Sequence, residues 1–144
     1  MITKRRSLIL VFALISIAAV IAVLGPSMKR QIESTNCGNY MASIGIAARL
    51  WANDNADQHL PSDLLSMSDE LSSTKILICP GDHSRLPAPS WDSFTTNNSS
   101  YEIVTPGLKE GDTNTVFLRC KIHGHLGYAD GTVFDGVRRR TKIP

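Results

Sequence analysis

The 144-residue sequence lacks the short motifs that mark familiar enzymes: it has no Gly-rich phosphate loop, no paired-carboxylate motif and no zinc-hydrolase signature. Cys120, His123 and Asp130 are the one set that resembles a nucleophile with its base and orienting group. No Gly-rich oxyanion loop precedes Cys120, and a turn already accounts for Asp130. We therefore expect no catalytic residues, no enzymatic activity and no cofactor.

The sequence also lacks a strong charge of either sign, since its net charge is +2 and its pI is about 8.5. Much of the excess lies at the two ends, in Lys4-Arg5-Arg6 and in Arg138-Arg139-Arg140. Three charges near the C-terminus are too few to indicate a nucleic-acid or lipid site. We expect no nucleic-acid partner. Internal repeats and low-complexity tracts are absent as well.

One long apolar run is present, seventeen residues from Leu8 to Leu24 with Ser16 as the only polar interruption. As a helix it would span about 25 Å, the short end of what crosses a membrane. The basic cluster before it would stay in the cytoplasm. The run therefore predicts a single-pass inner-membrane anchor over residues 1–26, with residues 27–144 extracytoplasmic, in the periplasm.

Two alternatives to the anchor stay open. A cleaved secretory signal would have a shorter apolar region and a small-x-small site. The best such end here, Val23-Leu24-Gly25, is followed by Pro26, which disfavours cleavage. A buried core helix of a cytosolic protein is the other alternative.

Residues 27–144 suffice for one modest domain. Residues 27–55 predict an amphipathic helix, because Met28, Ile32, Met41, Ile44, Ala48 and Trp51 recur mostly at steps of three and four. Residues 56–144 predict a small sheet domain, with a short helix after Pro61. Strands are predicted over residues 75–79, 100–104 and 115–120, and a long loop with Trp91 as its anchor over 82–99. The fold class is α+β.

Asp130-Gly131 is the strongest short hairpin signal in the chain. A two-residue type I′ turn needs positive φ at both central residues, and Asp-Gly suits it. We expect Tyr128-Ala129 to pair with Thr132-Val133 across this turn.

The three cysteines, Cys37, Cys79 and Cys120, leave the chemistry open. A Cys79–Cys120 disulfide would close a loop of about 40 residues and stabilise the fold by roughly 3–4 kcal/mol. A structural metal site formed by Cys79, His83, Cys120 and His123 is the sharper alternative, because these spacings resemble those of zinc ligands. Free thiols are the third possibility, and Cys37 is interpreted as a small buried hydrophobic residue.

The order of these motifs resembles the pilin-like proteins of type IV pili and type II secretion, the pseudopilins. The resemblance is carried by the basic flank and apolar helix, by Ile78-Cys79-Pro80-Gly81-Asp82, by His123-Gly124 and by Ala129-Asp130-Gly131-Thr132-Val133. It is closest to a variety abundant in planctomycete and verrucomicrobial genomes. It implies a long N-terminal helix packed on a small antiparallel sheet. It also implies a non-enzymatic envelope protein that contacts other pilin-like subunits or secretion components. The alternative function is a membrane-anchored binding module with a structural metal site.

The sequence departs from that class at its processing site. Precursors of the class carry Gly followed by Phe or Met, and then a Thr-Leu-Ile-Glu run. Here Arg6-Ser7-Leu8-Ile9-Leu10 stands in that place. We therefore expect the basic cluster Lys4-Arg5-Arg6 to be retained.

Overall fold

The computed structural model shows one long helix, an irregular segment and a small antiparallel sheet, which makes the chain an α+β protein. It describes residues 2–55, 57–136 and 139–140, and only the backbone of residues 2–12, 18–20, 23 and 139–140. The chain divides into two units, Met1–Ile32 and Glu33–Pro144. Arg138 and the side chains of the Lys4-Arg5-Arg6 cluster lie outside the described residues.

The helix, α1, extends from Ile2 to Asp54 over 53 residues and contains Pro26 in its interior. The segment predicted as a separate helix over 27–55 is thus the second half of α1. Within the described residues, no helix is both long enough and apolar enough to cross a membrane. Among the side chains of the first unit that the structure describes, seven large apolar ones are exposed: Leu14, Ile15, Ile17, Ile21, Leu24, Met28 and Ile32.

In the second unit α1 buries one face. Its core positions, at steps of three and four, are Cys37, Met41, Ile44, Ala48 and Ala52, each at most 1% exposed. The predicted stripe is confirmed at Met41, Ile44 and Ala48, whereas Trp51 is half-buried and Met28 and Ile32 are exposed. Next to its end, the Asn55 side-chain amide donates to the carbonyl of Trp51 at 2.6 Å.

The segment between helix and sheet is built from 3-10 turns. The strand predicted over 75–79 is wrong, because Thr74–Leu77 forms a 3-10 turn. Ser73 starts that turn by accepting the Lys75 N–H, and Thr74 donates to the Ala88 carbonyl. The helix predicted after Pro61 is reduced to a turn over Leu65–Met67. Half-buried Trp91 packs against the core.

Within the part of the chain that the structure describes, the sheet has five strands in chain order, each antiparallel to its neighbours. The strands predicted near residues 100 and 115 are confirmed as β1 and β2. The bounds are β1 Tyr101–Ile103, β2 Val116–Cys120, β3 Leu126–Tyr128, β4 Val133–Phe134 and β5 Arg139–Arg140.

The β3–β4 hairpin contains Asp130 and Gly131, but its loop has three residues. Tyr128 N–H donates to the Thr132 carbonyl, and Gly131 N–H donates to the Tyr128 carbonyl, both at 2.9 Å. Gly131 has φ +82°, as predicted, whereas Asp130 does not have positive φ. The two-residue type I′ turn is therefore wrong. Asp130 instead accepts hydrogen bonds from the backbone and hydroxyl of Thr132, at 2.9 and 2.6 Å.

Candidate metal centre

All three cysteines and one histidine meet in the core of the second unit. Cys37 lies on α1, Cys79 follows the Thr74–Leu77 turn, and Cys120 ends β2. Their sulfur atoms and one ring nitrogen of His123 all lie within 4.8 Å of one another. We call these four residues the Cys3His cluster. Because each cysteine is at most 1% exposed, the cluster is closed to solvent on the sulfur side.

The three cysteines are free thiols in the structure, so the predicted Cys79–Cys120 disulfide is not formed there. Cys79 and Cys120 are nevertheless brought together as that prediction requires. Cys79 is not on a strand, in contrast to the prediction. Cys37 is as buried as the sequence indicates, but its sulfur belongs to the cluster rather than to a purely apolar contact.

A tight turn after β2 places Cys120 and His123 side by side. Gly124 N–H donates to the Cys120 carbonyl at 3.0 Å, and Gly124 has φ +70°, a conformation that favours glycine. Within the turn the N–H groups of Ile122 and His123 both point at the Cys120 sulfur, at 3.4 Å each. The Cys-x2-His spacing thus places the Cys120 sulfur beside His123, where it accepts two backbone hydrogen bonds.

The loop after Cys79 leaves room for the His123 ring. A Cβ on Gly81 would lie 2.8 Å from Cε1 of His123 and 3.0 Å from its Nε2, too close for any other residue type without a shift. With glycine there, His123 Nδ1 lies 3.1 Å from the Cys79 sulfur. The Pro80-Gly81 dipeptide, which ends the predicted strand in the sequence, therefore shapes the cluster.

Asp82 stabilises the loop after Cys79 through hydrogen bonds and an ion pair. Its side chain is 1% exposed and pairs with Arg85. It accepts hydrogen bonds from the Ser84 hydroxyl and from the Ser100 hydroxyl, each at 2.7 Å. Ser100 in turn accepts the Cys79 N–H at 3.0 Å. Burial alone would raise the pKa of Asp82, but the bonds from Ser84, Ser100 and Arg85 outweigh it and hold the pKa well below its usual range.

Tyr101 joins the sheet to the helix at the cluster. It lies opposite Cys120 in the β1–β2 register, and its hydroxyl donates to the Cys37 sulfur at 3.6 Å. Burial raises the pKa of Tyr101, so this phenol remains a donor. Tyr101 thus holds Cys37 against the end of β2.

The acidities of the three thiols depend on one another, because their sulfur atoms lie within 4.8 Å of one another. A hydrogen bond to Cys120 raises the pKa of Cys37, and the same kind of bond raises the pKa of Cys79 to about 11. Bonds from Cys37 and Cys79 lower the pKa of Cys120. Because the three thiols interact, they titrate as one coupled set rather than as independent groups.

His83, the fourth predicted metal ligand, is not in the cluster. Its side chain is 67% exposed, and its Nε2 lies 3.4 Å from a carboxylate oxygen of Glu33. Cys37 takes its place. Cys37 could have been predicted from the sequence. It lies four residues before Met41, so helical periodicity places it on the face of the helix that was predicted to pack on the sheet.

No protein-family model, no curated protein and no solved structure matches this chain.

Proposed function

We propose that this protein is a non-enzymatic, single-pass envelope protein of the pilin or pseudopilin type, acting by protein–protein contact in a type II secretion or type IV pilus-like system. The observation that carries the proposal is α1 itself. Its second half buries one face in the α+β domain, while seven of the described large apolar side chains from Leu14 to Ile32 are 52–66% exposed. A contiguous apolar surface of this kind marks an interaction site.

The anchor rests on the sequence. Leu8–Leu24 is nearly free of polar residues and follows Lys4-Arg5-Arg6, which favours a cytoplasmic N-terminus and an extracytoplasmic domain. Lipid would then cover the exposed apolar side chains of the first 24 residues.

Ile32 needs a different cover. It is 57% exposed, and at 1.5 Å per residue it lies about 12 Å along α1 from Leu24. The headgroup layer on one side of a bilayer is only about 5–8 Å thick. A helix of another subunit is the cover that pilin-type assembly would supply, and Met28, 59% exposed, continues the same surface.

The burial of the Cys3His cluster supports a non-enzymatic role. Cys120 is 1% exposed, so no substrate reaches its sulfur in this conformation. Asp130 was considered as the orienting group of a catalytic set with Cys120 and His123. Its Oδ1 accepts hydrogen bonds from the backbone and the hydroxyl of Thr132.

Photo-crosslinking in native membranes tests the proposed contact. A photoreactive residue in place of Ile32 should give discrete adducts with proteins that mass spectrometry identifies as carrying a similar N-terminal apolar helix. The control replaces Ser27, which is also exposed but about 140° away around the helix, at 3.6 residues per turn. Ser27 should give fewer adducts. Adducts equally abundant at both positions, or none at position 32, would contradict the proposed interface.

A further inference from the structure

We infer that the Cys3His cluster, Cys37, Cys79, Cys120 and His123, binds one zinc ion in a closed, structural site. This goes beyond the proposed function, which does not require a metal. The four ligand atoms come from three separate parts of the second unit: α1, the loop after the Thr74–Leu77 turn, and the end of β2 with its turn.

The geometry is close to that of a tetrahedral site. Zinc–sulfur and zinc–nitrogen bonds of about 2.3 and 2.0–2.1 Å place the ligand atoms of a tetrahedron roughly 3.6–3.8 Å apart. The cluster has all four within 4.8 Å. Its widest separation would therefore close by about 1 Å at most on binding, which side-chain rotation supplies.

The donor set selects the metal. Three thiolates and one imidazole are soft or borderline ligands, which disfavour Ca²⁺ and Mg²⁺ and suit Zn²⁺. The set contributes three negative charges against two on the ion, so one negative charge remains to be stabilised. Four ligands from the protein complete the tetrahedron and leave no position for a substrate or a water molecule, as in structural zinc sites.

Two of the three sulfurs already have a donor that would stabilise them as thiolates. Tyr101 donates to Cys37, and the N–H groups of Ile122 and His123 donate to Cys120. Partners of this kind orient metal ligands and share their charge. A Cys79–Cys120 disulfide would not account for the Cys37 sulfur and the His123 ring nitrogen, which lie within 4.8 Å of both sulfurs.

The fourth ligand, His123, depends on a glycine at position 81 for its placement. Gly81 provides the space in which the His123 ring approaches the Cys79 sulfur, and any Cβ there would displace the ring. His123 also stacks on His125, with ring centroids 5.3 Å apart and planes inclined by 24°, which further restricts the orientation of the imidazole.

The test uses the full chain, purified in detergent under reducing conditions and then dialysed against Zn²⁺ alone. We expect one zinc per chain, and three thiols that react with a thiol reagent once the protein is denatured in the presence of chelator. Replacing Zn²⁺ with Co²⁺ should give the visible absorption of a tetrahedral, thiolate-bound cobalt ion. A zinc-free chain with one reactive thiol would show a disulfide and overturn the inference, as would three reactive thiols with no zinc bound.

Two variants separate this site from the one predicted from sequence. Cys37→Ser should weaken zinc binding by at least about 100-fold, since removing even a hydrogen-bond partner of a ligand costs about 10–100-fold. The matched control His83→Ala should bind zinc as the parent chain does. The reverse result, with His83→Ala losing zinc and Cys37→Ser retaining it, would contradict the cluster as the site.

Loss of zinc by Cys37→Ser through misfolding would give the same affinity result, so a second variant is needed. Tyr101→Phe removes only the hydroxyl that donates to Cys37 and keeps the packing of the ring. It should weaken zinc binding about 10-fold while the cobalt spectrum keeps its tetrahedral form. Unchanged affinity in this variant would contradict the role assigned to Cys37.

Discussion

At the residue scale, Asp82 is the clearest case of a buried charge held by its neighbours. Because its folded pKa is below the ordinary value, its contribution to stability is fully present above that value and is lost as the pH falls towards the folded pKa. The ordinary pKa of an aspartate in an unfolded chain is about 3.9. Asp82 should therefore stabilise the fold at neutral pH and stop doing so in acid.

Asp82→Asn tests this assignment. The variant should lower the free energy of unfolding by about 2–3 kcal/mol at pH 7, because hydrogen bonds to a charged group are lost at a buried site. The difference from the parent chain should shrink as the pH falls below about 4. Urea denaturation of both chains from pH 7 to pH 2, under identical metal conditions, measures it. A difference that stays constant over that range would show that the charge of Asp82 is not what matters.

The residues of the Cys3His cluster could be predicted from the sequence only in part. Cys79, Cys120 and His123 were predicted as metal ligands, as an alternative to the Cys79–Cys120 disulfide, from spacing alone. His83 matched the same spacing, but the loop after Cys79 turns it outward to Glu33. Spacing within a loop does not give the direction of a side chain. Cys37, 42 residues before Cys79 in the sequence, could only be found by combining helical periodicity with the expected packing on the sheet.

At the element scale, α1 and the sheet were predictable because their patterns are long or chemically specific. The face formed by Met41, Ile44 and Ala48 repeats over several turns. β2 is a five-residue strand that is apolar except for Arg119. The segment Lys75–Cys79 was not predictable, because a short apolar run looks the same in a strand and in a buried turn. The conformation of this segment depends on Ser73 and Thr74, whose side chains form hydrogen bonds with the backbone and start a 3-10 turn.

The buried face of α1 gives a prediction with an internal control. Ile44 is fully buried and Ile46, two residues on, is 44% exposed. Ile44→Ala should destabilise the domain by about 2–4 kcal/mol, because it removes core packing and leaves a cavity. Ile46→Ala should cost less than about 1 kcal/mol. Equal losses in denaturant unfolding of the two variants would contradict the orientation of the helix.

At the scale of the whole molecule, α1 has a buried face in one unit and exposed apolar side chains in the other. Residues 33–54 contribute a core face to the domain, while the described residues of the first unit expose large apolar side chains. The α+β class follows from the sequence, because a single long helical pattern precedes several short strand signals. The hairpin could be placed but not its loop length: Asp-Gly fits a two-residue loop as well as a three-residue one, and the pairing of Tyr128 with Thr132 decides between them.

The central claim, that α1 anchors an exported domain, is tested most directly by a reporter fused after Pro144. We expect activity from a reporter that works only outside the cytoplasm, with the fusion recovered at full length in the membrane fraction. The same fusion without residues 1–32 should be inactive, because the apolar segment is missing. A fusion active only with a cytoplasmic reporter, and recovered in the soluble fraction, would contradict the anchor and with it the proposed function.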